Sequence, residues 1–137
     1  MNVFVDTSAL YAVLSRTDMN HADAADRWRA FVSDPAVRLF TSNYVVVEAC
    51  ALVRSRLGRP AVADLFQSLL PATTVLWVDE PLHYAAVEAM LAAGNNGPSL
   101  VDCSAFALMH SRGLSQAFAY DRHFAAYRDP PANPPAA

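Results

Sequence analysis

Four carboxylates in this 137-residue sequence stand in contexts that ordinary surface acids do not share. Asp6 follows the apolar run Val3-Phe4-Val5, and Asp121 follows Ala117-Phe118-Ala119-Tyr120. Glu48 interrupts Val45-Val46-Val47 and Ala49-Cys50-Ala51-Leu52-Val53, a segment otherwise wholly apolar. Asp102 lies in Leu100-Val101-Asp102-Cys103, just after Ser99. Each admits a plain structural reading: Asp6 as a helix cap, Ser99-x-x-Asp102 as a capping box, Asp121 as a turn residue. Glu48 resists one, because a lone glutamate in an apolar helical segment is costly to bury without a partner or a cleft. Acids at strand ends and in first helical turns share one edge of a parallel sheet, where ligands bind. Carboxylates gathered there repel one another, and the arrangement persists only around bound positive charge or with raised pKa values. A hard divalent ion suits such oxygen ligands, and it can activate water for phosphodiester cleavage.

The elements that must position these acids alternate. Strands are expected at Val3–Val5, Val37–Phe40, Thr74–Val78 and Ala117–Tyr120, and helices over 9–14, 22–32, about 43–57, 61–70, 81–93 and 100–110. Thr41-Ser42-Asn43 and Ser99 offer N-caps, and Gly58 and Gly113 follow helix ends. A short helical turn is expected over His123–Ala126. Strands and helices in this order predict an α/β fold with a parallel sheet and helices on both faces. The chain divides into one domain over residues 1–126 and a proline-rich tail, 127–137, expected to be extended or disordered.

Composition excludes several chemistries. All ten Lys+Arg residues are arginine, so no P-loop lysine exists. The four glycines form neither a dinucleotide-binding fingerprint nor a nucleophile elbow. Cys50 and Cys103 lack metal-type spacing and read as free thiols of a reducing cytoplasm. No apolar run is long enough to span a bilayer, and the N-terminus lacks a signal-peptide pattern.

At Val5-Asp6-Thr7-Ser8-Ala9-Leu10, Thr41-Ser42 through Glu48, Ser99-Leu100-Val101-Asp102 and Tyr120-Asp121-Arg122-His123-Phe124, taken in that order, the chain resembles the PIN-domain proteins, in particular the VapC-type toxin ribonucleases. The resemblance covers residues 2–124 and implies a three-layer α/β/α sandwich around a four- or five-stranded parallel sheet. It implies an acidic site of Asp6, Glu48, Asp102 and Asp121 for Mg²⁺ or Mn²⁺, with Thr7 supporting it beside the first acid. In that reading Asp6, Asp102 and Asp121 hold the metal, while Glu48 completes the shell or orients the attacking water. The implied product ends are a 5′-phosphate and a 3′-hydroxyl. The implied partners are RNA, a second copy of the chain, and a cognate antitoxin covering the cleft. Two departures stand out: Ala119 replaces a frequent Ser or Thr two residues before the last acid, and prolines replace a frequent fifth strand.

The net charge of −3 is compatible with an RNA substrate, since nine of thirteen acids remain against ten arginines once the four site acids are set aside. Arg54, Arg56 and Arg59 cluster at one helix end, whereas Arg16, Arg112 and Arg122 are expected nearer the cleft. The four histidines lack ligand-like pairing and are assigned surface or helix-end roles, and Trp28 and Trp77 are assigned to the core. A dehalogenase-like phosphatase would need an acid where Ser8 stands and a lysine the chain lacks. A catalytically silent binding module is the remaining alternative.

Overall fold

Three consecutive residues of the first strand, Val3, Phe4 and Val5, are all buried. Successive strand side chains point to opposite faces, so this sheet is covered on both. The structure, a computed structural model, describes residues 1–128. The expected tail from residue 129 onward lies outside the described residues.

The elements run β1 (Asn2–Val5), α1 (Thr7–Leu14), α2 (His21–Ser33), β2 (Arg38–Ser42), α3 (Asn43–Leu57), α4 (Arg59–Asp64), β3 (Thr73–Leu76), α5 (Glu80–Ala93), α6 (Leu100–Arg112), β4 (Gln116–Phe118) and α7 (Ala125–Arg128). All strand pairings are parallel, in the order β3-β2-β1-β4. Right-handed crossovers place α1 to α4 on one face. The return from β3 across to β4 runs the other way and places α5 and α6 on the opposite face. Strand order therefore reverses between β1 and β4, and the crevice at their carboxyl ends is where such sheets bind ligands.

Local signals set the helix ends. Ser42 caps α3 by accepting from the Val45 N–H at 3.1 Å, and Asp79 caps α5 through the Leu82 N–H at 3.1 Å. Gly113 ends α6 in the left-handed region at φ +67°, where a side chain would be strained. On α3 the stripe Val45, Ala49 and Val53 is buried at helical spacing, whereas Val47 is 70% exposed.

Three expectations need correction. The helix expected over 61–70 is α-helical only through Asp64; Leu65–Leu69 widen into a π turn and Leu70–Ala72 tighten into a 3₁₀ turn. Pro71 lacks the N–H that an α-helix would require there, and its ring crowds the preceding turn. The strand expected through Val78 ends at Leu76 on the sheet edge, so Trp77 is 69% exposed rather than core. Tyr127, placed in the tail, belongs to α7 and stacks on Phe106 with centroids 5.5 Å apart. The two cysteines are free, Cys103 buried and Cys50 half-buried. Among the described residues, no helix is long and apolar enough to cross a membrane.

Candidate active site

The β1–α1 junction and the segment after β4 are joined by a single hydroxyl. Ser8 Oγ donates to Asp6 Oδ2 at 2.7 Å and accepts from the backbone N–H groups of Tyr120 at 2.9 Å and Asp121 at 3.3 Å. The Asp6 N–H also donates to the Phe118 carbonyl at 3.0 Å, extending the β1–β4 pairing to the first acid. Thr41 Oγ1, fully buried, donates to the Val5 carbonyl at 2.9 Å and braces β1 from the other side. Asp6 is thereby rigidly held at the strand-order reversal.

Asp6 does cap α1, its Oδ2 accepting from the Ser8 N–H at 3.1 Å. That role occupies one oxygen only. Among the described residues, Asp6 Oδ1 and Thr7 Oγ1 are the buried side-chain oxygens without a hydrogen-bond partner. An unpaired carboxylate oxygen buried in a residue only 3% exposed is unfavourable unless the site serves a ligand. Burial pushes the Asp6 carboxyl up to about 6; its bonds to Ser8 pull it down, and the Asp102 charge pushes it up further.

Asp102 caps as well: its Oδ2 accepts from the Ser99 N–H while Ser99 Oγ accepts from the Asp102 N–H, both at 3.1 Å. The capping box aims the carboxylate from the first turn of α6 toward the crevice. Burial raises its pKa, the Ser99 bonds oppose that, and the nearby Asp121 charge adds to it. Asp121 caps the 3₁₀ turn Arg122–Phe124, with Oδ1 accepting from the His123 N–H at 2.8 Å. His123 Nδ1 lies 3.0 Å from Asp121 Oδ1 and 3.8 Å from Asp102 Oδ2. One ligand atom from each of Asp102, Asp121 and His123 falls within 4.8 Å of the others.

Glu48 stands apart from that group. It is half-buried on α3 and lines an apolar groove of about 770 Å³ with Val47, Phe66, Trp77, Leu100 and Val101. Leu100 and Val101 open α6, so the groove adjoins the helix that carries Asp102.

Sequence reasoning missed two residues. His123 was assigned a surface role and instead sits within the acid cluster; its spacing two residues beyond Asp121, across a turn, was the available signal. Ser8 carries no local signal, since its partners lie more than a hundred residues away. The arginines divide. Arg122 is exposed beside Asp121, whereas Arg112 ends α6 at the pole opposite Asp102. Arg16 lines a separate hollow with His21 and Trp28, and Arg56 lies over the Tyr11 ring at 5.5 Å.

Comparison with known proteins agrees with this fold. Residues 3–130 match the PIN domain family model. The chain is 34% identical over 125 residues to the 23S rRNA-specific endonuclease VapC20 of Mycobacterium tuberculosis, in both strains CDC 1551 and H37Rv, covering 90% of this chain and 92% of that protein. The crystal structure of M. tuberculosis VapC20, described as a sarcin–ricin loop cleaving toxin, superposes with a TM-score of 0.78 at 31% identity, over 90% of this chain and 93% of that one.

Proposed function

The chain belongs to the PIN-domain family, and on that premise we propose that it is a divalent-metal-dependent endoribonuclease, the toxin of a toxin–antitoxin pair. The observation that carries this reading is the buried, unpartnered Asp6 Oδ1 beside the converging carboxylates of Asp102 and Asp121. Asp6, Asp102 and Asp121 would hold Mg²⁺ or Mn²⁺, and the donor set fits: oxygen-rich, and short of positive charge. When bound, such an ion supplies positive charge at the scissile phosphate and makes water a competent nucleophile.

The remaining work falls to the chain itself. Asp6 is locked by Ser8, Asp102 by its capping box and Asp121 by its turn, so the carboxylates are oriented before substrate arrives. Thr7, its hydroxyl unpaired beside Asp6, supports that acid or its water shell. Glu48, at the edge of the groove beside α6, orients the attacking water. Cleavage leaves a 5′-phosphate and a 3′-hydroxyl. Because VapC20 is named for 23S rRNA, that RNA and its sarcin–ricin loop are the first substrates to offer.

The protein acts in the cytoplasm, as a homodimer neutralised by an antitoxin that covers the crevice. Exposed Val47, Phe66 and Trp77 around the groove support association with a second copy, since apolar patches of this kind mark interfaces. The test is incubation of ribosomal RNA with wild type and Asp6→Asn in Mg²⁺, Mn²⁺ or EDTA. Metal-dependent cutting by wild type alone supports the reading. Absence of cutting under every metal removes it and leaves a silent binding module.

A further inference from the structure

His123 is the one nitrogen donor in the cluster, and its two ring nitrogens face different partners. Nε2 lies 3.4 Å from the Asn96 carbonyl oxygen, and Nδ1 faces Asp121 Oδ1 at 3.0 Å and Asp102 Oδ2 at 3.8 Å. Both partners only accept, so a single ring proton serves either the Asn96 carbonyl from Nε2 or Asp121 Oδ1 from Nδ1, not both. With the proton on Nε2, Nδ1 presents its lone pair to the two carboxylate oxygens. A cation among the three atoms would satisfy that lone pair and both carboxylates at once, while leaving the Nε2 proton to the Asn96 carbonyl.

Asp102 and Asp121 converge on this nitrogen, and Asp6 is near enough to Asp102 for their charges to repel. The unpartnered buried Asp6 Oδ1 marks, independently of His123, that a ligand belongs here. The ring's far side also carries the signature of metal-bound histidine, whose second N–H usually donates to a backbone carbonyl and so fixes the tautomer.

We propose that His123 Nδ1 is a direct ligand of the divalent ion, alongside Asp102 and Asp121, and that this nitrogen makes the site select Mn²⁺ over Mg²⁺. The inference rests on the metal-dependent reading above and adds a donor to it. Imidazole suits transition ions, whereas Mg²⁺ prefers oxygen and water. The Asn96 carbonyl, in the loop between α5 and α6, serves as the outer partner that aims the ring.

The experiment uses the full chain loaded with Mn²⁺ and read by pulsed electron paramagnetic resonance, with calorimetric titration of Mn²⁺ and Mg²⁺. Wild type should show a directly coordinated nitrogen whose coupling changes when the protein carries ¹⁵N-histidine. His123→Asn should lose that coupling, with Mn²⁺ affinity falling by about tenfold or more and Mg²⁺ affinity falling much less. The labelled wild type needs no substitution, so a poorly folded variant does not compromise the result. Mn²⁺ bound without nitrogen coupling, and released by Asp6→Asn, would overturn the inference while sparing the ribonuclease reading. A wild type that binds no Mn²⁺ would overturn both.

Discussion

Asp6→Asn should make the metal-free protein more stable, although it disables the proposed chemistry. Asp6 is buried, and its carboxyl is pushed from the ordinary 3.8 to about 6, chiefly by burial. The native state therefore binds a proton more tightly than the unfolded chain does. Between those two values the folded form carries more protons, so stability falls as pH rises and the loss is complete above about pH 6. The displacement amounts to at most about 3 kcal/mol at neutral pH. The substitution retains the cap, since asparagine accepts the Ser8 N–H as well as aspartate does. It also removes the Asp6–Asp102 repulsion. Thermal unfolding in EDTA at pH 7.5 should then show a midpoint roughly 5–10 °C higher for Asp6→Asn than for wild type. At pH 5 the difference should shrink, and saturating Mn²⁺ should raise wild type but not the variant. A variant equal to or less stable than wild type in EDTA at pH 7.5, or a wild type whose stability rises between pH 5 and 7, would refute the reasoning.

Other expectations follow from single contacts. Ser8→Ala leaves the Tyr120 and Asp121 N–H groups without their hydroxyl acceptor and should cost about 1–3 kcal/mol in denaturant unfolding, with cleavage falling further as Asp6 and Asp121 separate. Glu48→Gln should lower the cleavage rate while leaving Mn²⁺ affinity within about threefold, because Glu48 stands outside the ligand cluster; an equal loss of both would place it among the ligands. Trp77→Asp or Val47→Asp, both exposed beside the groove, should turn a dimer into a monomer in analytical ultracentrifugation with the fold retained. An unchanged sedimentation profile would move the dimer contact elsewhere.

The strands and most helix boundaries were legible because each is announced locally. Val3–Val5 is bounded by Asp6, α3 opens at Ser42, and α6 runs from a Ser99–Asp102 capping box to Gly113. The acids were legible for a related reason, since three of them double as caps and capping residues stand where strands hand over to helices. What escaped notice depends on contacts remote in sequence. Ser8 and the Tyr120–Asp121 backbone meet only once β1 pairs with β4. His123 joins Asp102 only after α6 packs against the chain end. Trp77 reads as core until β3 is known to be an edge strand, and edge position is a property of the assembled sheet. The π turn at Leu65–Leu69 likewise carries a helical hydrophobic pattern and differs only in its hydrogen bonds, with the Leu70 N–H reaching the Leu65 carbonyl.

The central claim is that this acid cluster, loaded with a divalent ion, directs water at an RNA phosphodiester. End-group mapping of the cleaved RNA tests it most directly, comparing wild type in Mn²⁺ with wild type in EDTA and with Asp121→Asn. The account predicts 5′-phosphate and 3′-hydroxyl ends in Mn²⁺ with wild type only. Cleavage that persists in EDTA, or that leaves 2′,3′-cyclic phosphates, would mean the ribose hydroxyl attacks instead and would contradict the account.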